Sequence, residues 1–323
     1  MTDTYFLTGA LGCIGAWVTK TVLDRGATPV VFDLGGDNRR LRDLLGPEEL
    51  ARVRFVQGDI GDGAAVQDAV AKSGANRLIH LAGLQVPFCR ADPAAGARVN
   101  VLGTIHVMEA ALAAGIERVV YASSAAVYGP PEDEAAPDEG RACDPATHYG
   151  VFKRANEGNA RVYFQDRGLS SVGIRPLTVY GVGRDQGMTS GPTVAMKAAA
   201  LGRPYSIGFG GATDFNYVGD TAEAFVACAE RGPEGAHVFN LHGDSVPVRD
   251  IVSTLQLLRP ERAAGISFAG PELPIPAALD GSALSRAVPG LPSTSLEDGI
   301  RQTVERFELL EAEGRLDTRD LDA

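Results

Sequence analysis

Thr4-Tyr5-Phe6-Leu7-Thr8-Gly9-Ala10-Leu11-Gly12-Cys13-Ile14-Gly15 is an apolar run ending in three glycines spaced three apart. Thr4–Thr8 has the length and composition of a buried strand. Gly15–Arg25 reads as the helix that follows it. Glycines between the two permit a tight turn and let backbone N–H groups approach a pyrophosphate. The helix N-terminus behind them favours the same negative charge. A glycine pattern alone is weak evidence, but one that leaves a strand and opens a helix is a dinucleotide fingerprint. Gly9, Gly12, Cys13, Ile14 and Gly15 are therefore the candidate residues for that contact.

Outward from this turn, short apolar runs alternate with helical stretches, the pattern of βαβ units and a parallel sheet. Pro29–Asp33, Val53–Gln57, Arg77–Ala82, Arg118–Ser123 and Ser171–Arg175 are the expected further strands. Ala97–Ala114 and His148–Arg167 are expected helices. Right-handed crossovers then put helices on both sheet faces. The expected fold is α/β: a Rossmann-type doubly wound parallel sheet in 1–176 and a smaller C-terminal α/β substrate domain in 177–323. One strand, Ala236–Leu241, returns to the main sheet. Gly181–Pro192 reads as a polar loop, Thr193–Leu201 and Val248–Leu258 as helices, and Ala269–Ala277 as a proline-rich connection. Thr294-Ser295-Leu296-Glu297 resembles a capping box, followed by Leu296, Ile300, Val304 and Phe307 at helical spacing. Glu132–Glu139 and the tail after Glu313 read as solvated segments.

Asp33 closes the second strand. An acid there accepts hydrogen bonds from the adenosine ribose hydroxyls and repels a 2′-phosphate, which favours NAD over NADP. Arg39 and Arg40 follow closely and read as surface arginines. Asp59 and Ile60, after the third strand, are placed to meet the adenine edge.

Tyr149 and Lys153 are four residues apart, so on a helix they share one face. A nearby ammonium favours phenolate, and a phenol so tuned can take a proton from an alcohol or return one to a carbonyl. The stretch Tyr121-Ala122-Ser123-Ser124-Ala125-Ala126-Val127-Tyr128-Gly129 lies upstream and supplies hydroxyls.

The bulk composition excludes several classes. The 323 residues are 45% hydrophobic and 22% charged, as in a globular protein, and the net charge is -11 from 30 basic and 41 acidic residues. That balance argues against nucleic-acid binding. Cys13, Cys89, Cys143 and Cys228 form no CxxC pair, and the five histidines form no HExxH signature, so no metal site is indicated. A reducing cytoplasm fits the scattered cysteines. The first residues show no signal-like stretch, and no run is long and apolar enough to span a membrane.

Taken in order, these motifs resemble the extended short-chain dehydrogenases/reductases, in the branch of NAD-dependent nucleotide-sugar epimerases and dehydratases. The matching residues are Thr8–Gly15, Asp33, Asp59-Ile60, His80-Leu81-Ala82-Gly83, Asn100, Ser123–Gly129, Tyr149 with Lys153, Arg175-Pro176, Val179-Tyr180-Gly181 and Phe215–Asp220. The resemblance implies that Tyr149 is the catalytic acid/base, that Lys153 bonds the nicotinamide ribose, and that Ser124 bonds the reacting oxygen. Leu81, Ala82, Gly83, Asn100 and Ser123 would then adjoin the NAD. Gln85, Ser124, Ala125, Thr178, Arg184 and Thr189 would face a small carbohydrate substrate. A homodimer through Ala97–Ala114 and His148–Arg167 is implied as well.

The resemblance also narrows the reaction. Dehydratases of this family carry Asp-Glu after the catalytic serine or threonine, whereas Ser124 is followed by Ala125-Ala126. Neither alanine moves a proton, so dehydration is disfavoured. Epimerisation leads, as in UDP-galactose-type epimerases. Net dehydrogenation of a free sugar, sugar acid or hydroxy acid stands nearly level. A non-catalytic NAD-binding redox sensor is third, because a sensor has no need of a proton device. Nucleotide-sugar members usually grip the diphosphate with an arginine where this chain has Thr213, and Thr178 stands where asparagine is frequent. Threonine cannot give an arginine's bidentate bonds to phosphate. Either Arg184 or Arg203 replaces that arginine, or the substrate lacks a diphosphate.

Overall fold

The computed structural model describes residues 2–131 and 135–321; the acidic segment read at Glu132–Glu139 lies partly outside them. Seven parallel strands form the central sheet: β1 (Thr4–Thr8), β2 (Thr28–Asp33), β3 (Arg54–Gln57), β4 (Arg77–His80), β5 (Arg118–Ala122), β6 (Ser170–Arg175) and β10 (Ala236–Asn240). Their spatial order is β10-β6-β5-β4-β1-β2-β3. The order reverses between β1 and β4, and in such sheets ligands bind in the crevice beyond the strand C-termini at that point. Tyr5, Phe6, Leu7, Leu78, Ile79, Val119, Val120, Val172 and Ile174 are buried, as strands covered on both faces require.

Two apolar layers cover the sheet. One packs Val18, Val22, Phe225 and Cys228, from the helices Cys13–Asp24 and Val218–Arg231, against Leu7, Val31 and Ile79. The other packs Val66, Val70, Val107, Met108 and Ala160 against Phe6, Val30 and Leu78. A third cluster joins the helices Gly191–Leu201, Val248–Leu258 and Leu296–Ala312 around Tyr180, Phe215 and Tyr217. Beside it, β7 (Thr178–Tyr180), β9 (Ala212–Tyr217) and β11 (Asp244–Pro247) form a three-stranded sheet, and β8 (Tyr205–Ile207) pairs with β12 (Ile266–Phe268).

The structure corrects several expected boundaries. The helix expected over Ala97–Ala114 is an α-helical turn Pro93–Ala97, a π-turn Arg98–Leu102 and a helix Gly103–Ala113. The widened turn carries Asn100, whose side chain accepts from Leu84 N at 2.7 Å and donates to Leu84 O at 2.9 Å. A π-turn inside a helix is frequent at functional sites. The last helix is capped one residue later than its sequence suggests. Ser295 accepts from Asp298 N, while Thr294 is drawn into hydrogen bonds with Asp220. The helix Val218–Arg231 is an addition to the expected elements.

Candidate active site

The glycine turn lines a cleft of about 520 Å³. Gly9 has φ 67°, and a Cβ there would lie 2.5 Å from Ala82 N. A Cβ on Gly15 would lie 2.5 Å from Gly9 O and from Ala10 Cα. The turn is therefore closed by backbone against backbone, with no room for a side chain. The helix Cys13–Asp24 starts here with Gly12 as N-cap and no side-chain cap, so its first N–H groups remain for a ligand. Asp33 lies on the wall and accepts from Leu11 N at 3.0 Å. Cys13 and Ile14 line the cleft, and burial raises the Cys13 thiol to about 11. Asp59 and Ile60 line its far end. The Arg98 hydrogen bond and the Gly61 amide hold the Asp59 carboxyl below the usual range. We expect Gly9→Ala to destabilise the fold by about 1–3 kcal/mol, read from urea unfolding, because a non-glycine residue is forced into left-handed backbone.

Leu81, Ala82 and Gly83 form the opposite lip, and a buried polar chain fixes them. Thr104 Oγ1 donates to Asn100 O at 2.7 Å, so its contact with His80 Nε2 at 3.0 Å makes that nitrogen the donor. His80 Nδ1 then accepts from Thr8 Oγ1 at 2.6 Å, and Thr8 Oγ1 accepts from Ala82 N at 3.3 Å. Burial lowers His80 to about 3, so it is a neutral strut between β1 and β4. Asn100 is part of this support and pins the backbone at Leu84.

Ser124, Tyr149 and Lys153 converge where the cleft ends. Lys153 Nζ donates to Ala122 O at 2.6 Å and lies 5.4 Å from the Tyr149 ring centroid. Burial pulls its ammonium down to about 8. Ser124 accepts from Ala126 N at 3.1 Å and hydrogen-bonds Tyr149. The expectation that Lys153 would lower the Tyr149 phenol needs correction. Burial holds that phenol above its ordinary value, and what pulls it back is the Ser124 hydrogen bond and the charge of Arg184. Ser123 lines the cleft, but its hydroxyl turns inward and donates to Glu157 Oε1 at 2.6 Å. Glu157 escaped the sequence reading, and Arg175 entered it only as part of a matching motif, without its partner. The available signal was spacing, since Glu157 stands four residues past Lys153 on the same helix face.

A second cavity, of about 220 Å³, adjoins the first, and the two share Gln85, Tyr149 and Arg184. Ser124, Ala125, Thr189, Leu177, Met188, Leu273 and Ile275 also line it. The proline-rich segment thus supplies part of its wall, which its composition did not reveal. Arg203 lines neither cavity. Thr178, expected at the substrate, is fully buried and lines neither cavity either. Its hydroxyl meets that of Thr213 at 2.9 Å, and Thr213 is buried too. The two departures from the nucleotide-sugar pattern are therefore one self-satisfied hydroxyl pair.

The reading of Arg39 and Arg40 as surface arginines is also corrected. Their side chains are only 19% and 18% exposed, and both pair with Asp185. Arg40 also donates to Leu11 O and Gly183 O, each at 3.0 Å. Trp17 Nε1 donates to Val182 O at 2.9 Å. The loop after β7 is thereby fastened to the glycine turn.

The reversing parallel sheet, the glycine turn against an uncapped helix and the Tyr-Lys helix at its mouth define a dinucleotide-binding protein of the short-chain dehydrogenase/reductase class. The family model for the NAD dependent epimerase/dehydratase family matches residues 5–241. A UDP-glucose 4-epimerase of Mycolicibacterium smegmatis is 32% identical over 93% of this chain and 97% of its own. Among solved structures, MoeE5 in complex with UDP-glucuronic acid and NAD is similar at 27% identity and TM-score 0.76, over 94% of this chain and 98% of its own. The UDP-glucose 4-epimerase of Thermus thermophilus, in complex with NAD, has TM-score 0.79 at 24% identity, over 94% and 98% of the two chains. The chain belongs to the NAD-dependent epimerase/dehydratase family and is an NAD-dependent enzyme of the extended short-chain type. Among the described residues no helix is long and apolar enough to cross a membrane, and no group of three or more His, Cys, Asp and Glu could hold a metal ion.

Proposed function

We propose that this enzyme is a sugar epimerase that works by reversible hydride transfer, with Tyr149 as acid/base. The observation that carries the reading is the position of Tyr149 on the wall shared by the dinucleotide cleft and the cavity that holds Ser124. NAD, when bound in this cleft, would supply reversible hydride acceptance. Tyr149 takes the proton of the substrate hydroxyl and returns it, while Ser124 hydrogen-bonds the same oxygen. Lys153 would hold the nicotinamide ribose at the inner end of the cleft, and Asp33 the adenosine ribose at the outer. Ala125 is buried, and neither it nor Ala126 has an acid or base group, in keeping with a reaction that leaves neighbouring carbons untouched. The relatives named as UDP-glucose 4-epimerases support a carbohydrate substrate.

Thr213 favours a second reading, net dehydrogenation of a free sugar or sugar acid, because it stands where the resemblance places a diphosphate-gripping arginine and its hydroxyl is taken up by Thr178. A redox sensor without catalysis leaves the Ser124–Tyr149 pair unexplained. The test is incubation with NAD and a panel of sugars, sugar acids and nucleotide sugars, following NADH and substrate configuration. Inverted configuration without net NADH supports epimerisation; net NADH sinks it in favour of dehydrogenation. NAD binding without turnover of anything would return the sensor.

Asp33→Ala should weaken NAD more than NADP, since Asp33 serves ribose hydroxyls and repels a 2′-phosphate; titration of both cofactors checks this, and an equal loss removes Asp33 from that contact. We also propose a homodimer. Exposed Leu102 on the π-turn, with Val151 and Val162 on the helix His148–Arg167, gives it an apolar surface. Cytoplasmic location is proposed on the four free cysteines.

A further inference from the structure

Arg184 is held between two anchored neighbours. Arg40 donates through Nε to Gly183 O at 3.0 Å and through Nη2 to Asp185 Oδ1 at 2.6 Å. Arg39 takes the other oxygen, Asp185 Oδ2, at 2.7 Å. Both oxygens of the adjacent acid therefore serve other arginines, and Asp185 does not neutralise Arg184. The loop presents Arg184 to the wall shared by the two cavities. Its Nη2 donates to Thr189 Oγ1 at 3.1 Å, and its Nε is buried with no partner. A guanidinium carries five N–H donors, so this one has several left for a ligand.

The smaller cavity says what kind of ligand. Val86, Pro87, Leu177, Met188, Leu273 and Ile275 make its wall largely apolar. Among the described residues lining it, no other cation and no acid accompanies Arg184. A charge on an apolar wall is costly without a counter-charge, and a planar guanidinium matches a carboxylate in two parallel hydrogen bonds. A nucleotide-sugar diphosphate, with two negative charges to a carboxylate's one, would call for a second cation. The volume, about 220 Å³, is under the roughly 300–1,000 Å³ of pockets for drug-sized ligands. The single cation points away from a nucleotide diphosphate, and the volume accommodates one sugar ring.

We infer that the substrate is a small, nucleotide-free sugar acid, its carboxylate seated on Arg184 and its reacting hydroxyl between Ser124 and Tyr149. The inference rests on the reading of Tyr149 as acid/base and holds for epimerisation and dehydrogenation alike. Arg184 then has two duties, since its charge also lowers the Tyr149 phenol.

The test uses NAD-saturated protein and matched sets: glucose, glucuronate and UDP-glucuronate, then the galactose series. Calorimetry on Tyr149→Phe reads binding without turnover; the free acid should bind and the neutral sugar should not. Arg184→Gln should lower kcat/KM for the acid on the order of 100-fold, the usual scale for removing one partner of a desolvated charge pair. Arg184→Lys should restore only part, because an ammonium lacks the planar fork. Arg184→Gln should also move the phenol-dependent rise in oxidation to higher pH, with Lys153 and Cys89, the other ionisable groups facing Tyr149, unchanged. A merely structural arginine would leave that limb in place. If a neutral or UDP-linked sugar is turned over equally by wild type and Arg184→Gln, the inference fails while the Tyr149 reading stands. If acids bind through Arg184 but Tyr149→Phe still turns them over, the reverse holds. Failure of every acid in the panel to bind overturns the inference.

Discussion

Tyr149→Phe should lower turnover by about 10²–10⁴-fold, the range general acid–base catalysis contributes, and leave NAD affinity unchanged. The substitution removes one oxygen. The ring that lines both cavities stays, and so do the glycine turn, Asp33 and Lys153 in the dinucleotide cleft. The missing group is the one the substrate hydroxyl would use to shed its proton. Neither neighbour offers a ready replacement. Ser124 already accepts from Ala126 N, and Lys153 donates to Ala122 O. Single-turnover hydride transfer and calorimetric titration of NAD separate the two effects. Activity within a few-fold of wild type would remove Tyr149 from the chemistry. The pH dependence of wild type has a defined sign. Burial keeps the phenol above its ordinary value, so oxidation should rise as the pH is raised toward ionisation of Tyr149, and reduction should fall.

The glycine turn is legible in the sequence because backbone geometry leaves so little choice there. At Gly9 and Gly15 any side chain meets the main chain of a neighbouring segment, and a constraint that absolute is written into the sequence. The buried strands of the central sheet, such as β1, β2 and β5, are legible for a related reason, since each is a compact apolar run. Most of β7 to β12 is not. β7, β8 and β12 run only three residues, β9 and β11 carry Asp214, Asn216, Asp244 and Ser245 in place of an apolar run, and only β10 stands out. The helix Val218–Arg231 is hidden by its own motif, because Phe215–Asp220 reads as a fingerprint rather than as the entry to a helix. Side-chain partnership across long separations is hidden altogether. Arg40 and Asp185 are 145 positions apart, and local composition makes both look like surface charges. Thr178 and Thr213 are visible as two separate departures from a pattern, but only the fold brings their hydroxyls together.

Arg175→Met should cost about 3–5 kcal/mol of stability, the usual penalty for breaking a buried ion pair from one side. Arg175 and Glu157 have side chains only 2% and 1% exposed, and they are joined by two hydrogen bonds of 2.7 Å. Without the guanidinium, Glu157 keeps Ser123 and the half-exposed Arg154 as partners, which do not replace the bidentate contact. The loss reaches the site by two routes. Arg175 also donates to Tyr128 Oη at 2.7 Å, fixing the turn after Ser124, and Glu157 rides on the helix that carries Tyr149 and Lys153. The double substitution Arg175→Met with Glu157→Gln removes the stranded charge and should recover much of the loss, since the attraction between buried charges largely repays their own desolvation. Urea unfolding of the wild type, both single variants and the double variant gives the coupling directly. Additive losses would mean that the pair contributes through packing alone. A stable double variant with impaired turnover would show that the pair is kept to set the positions of Ser124 and Tyr149.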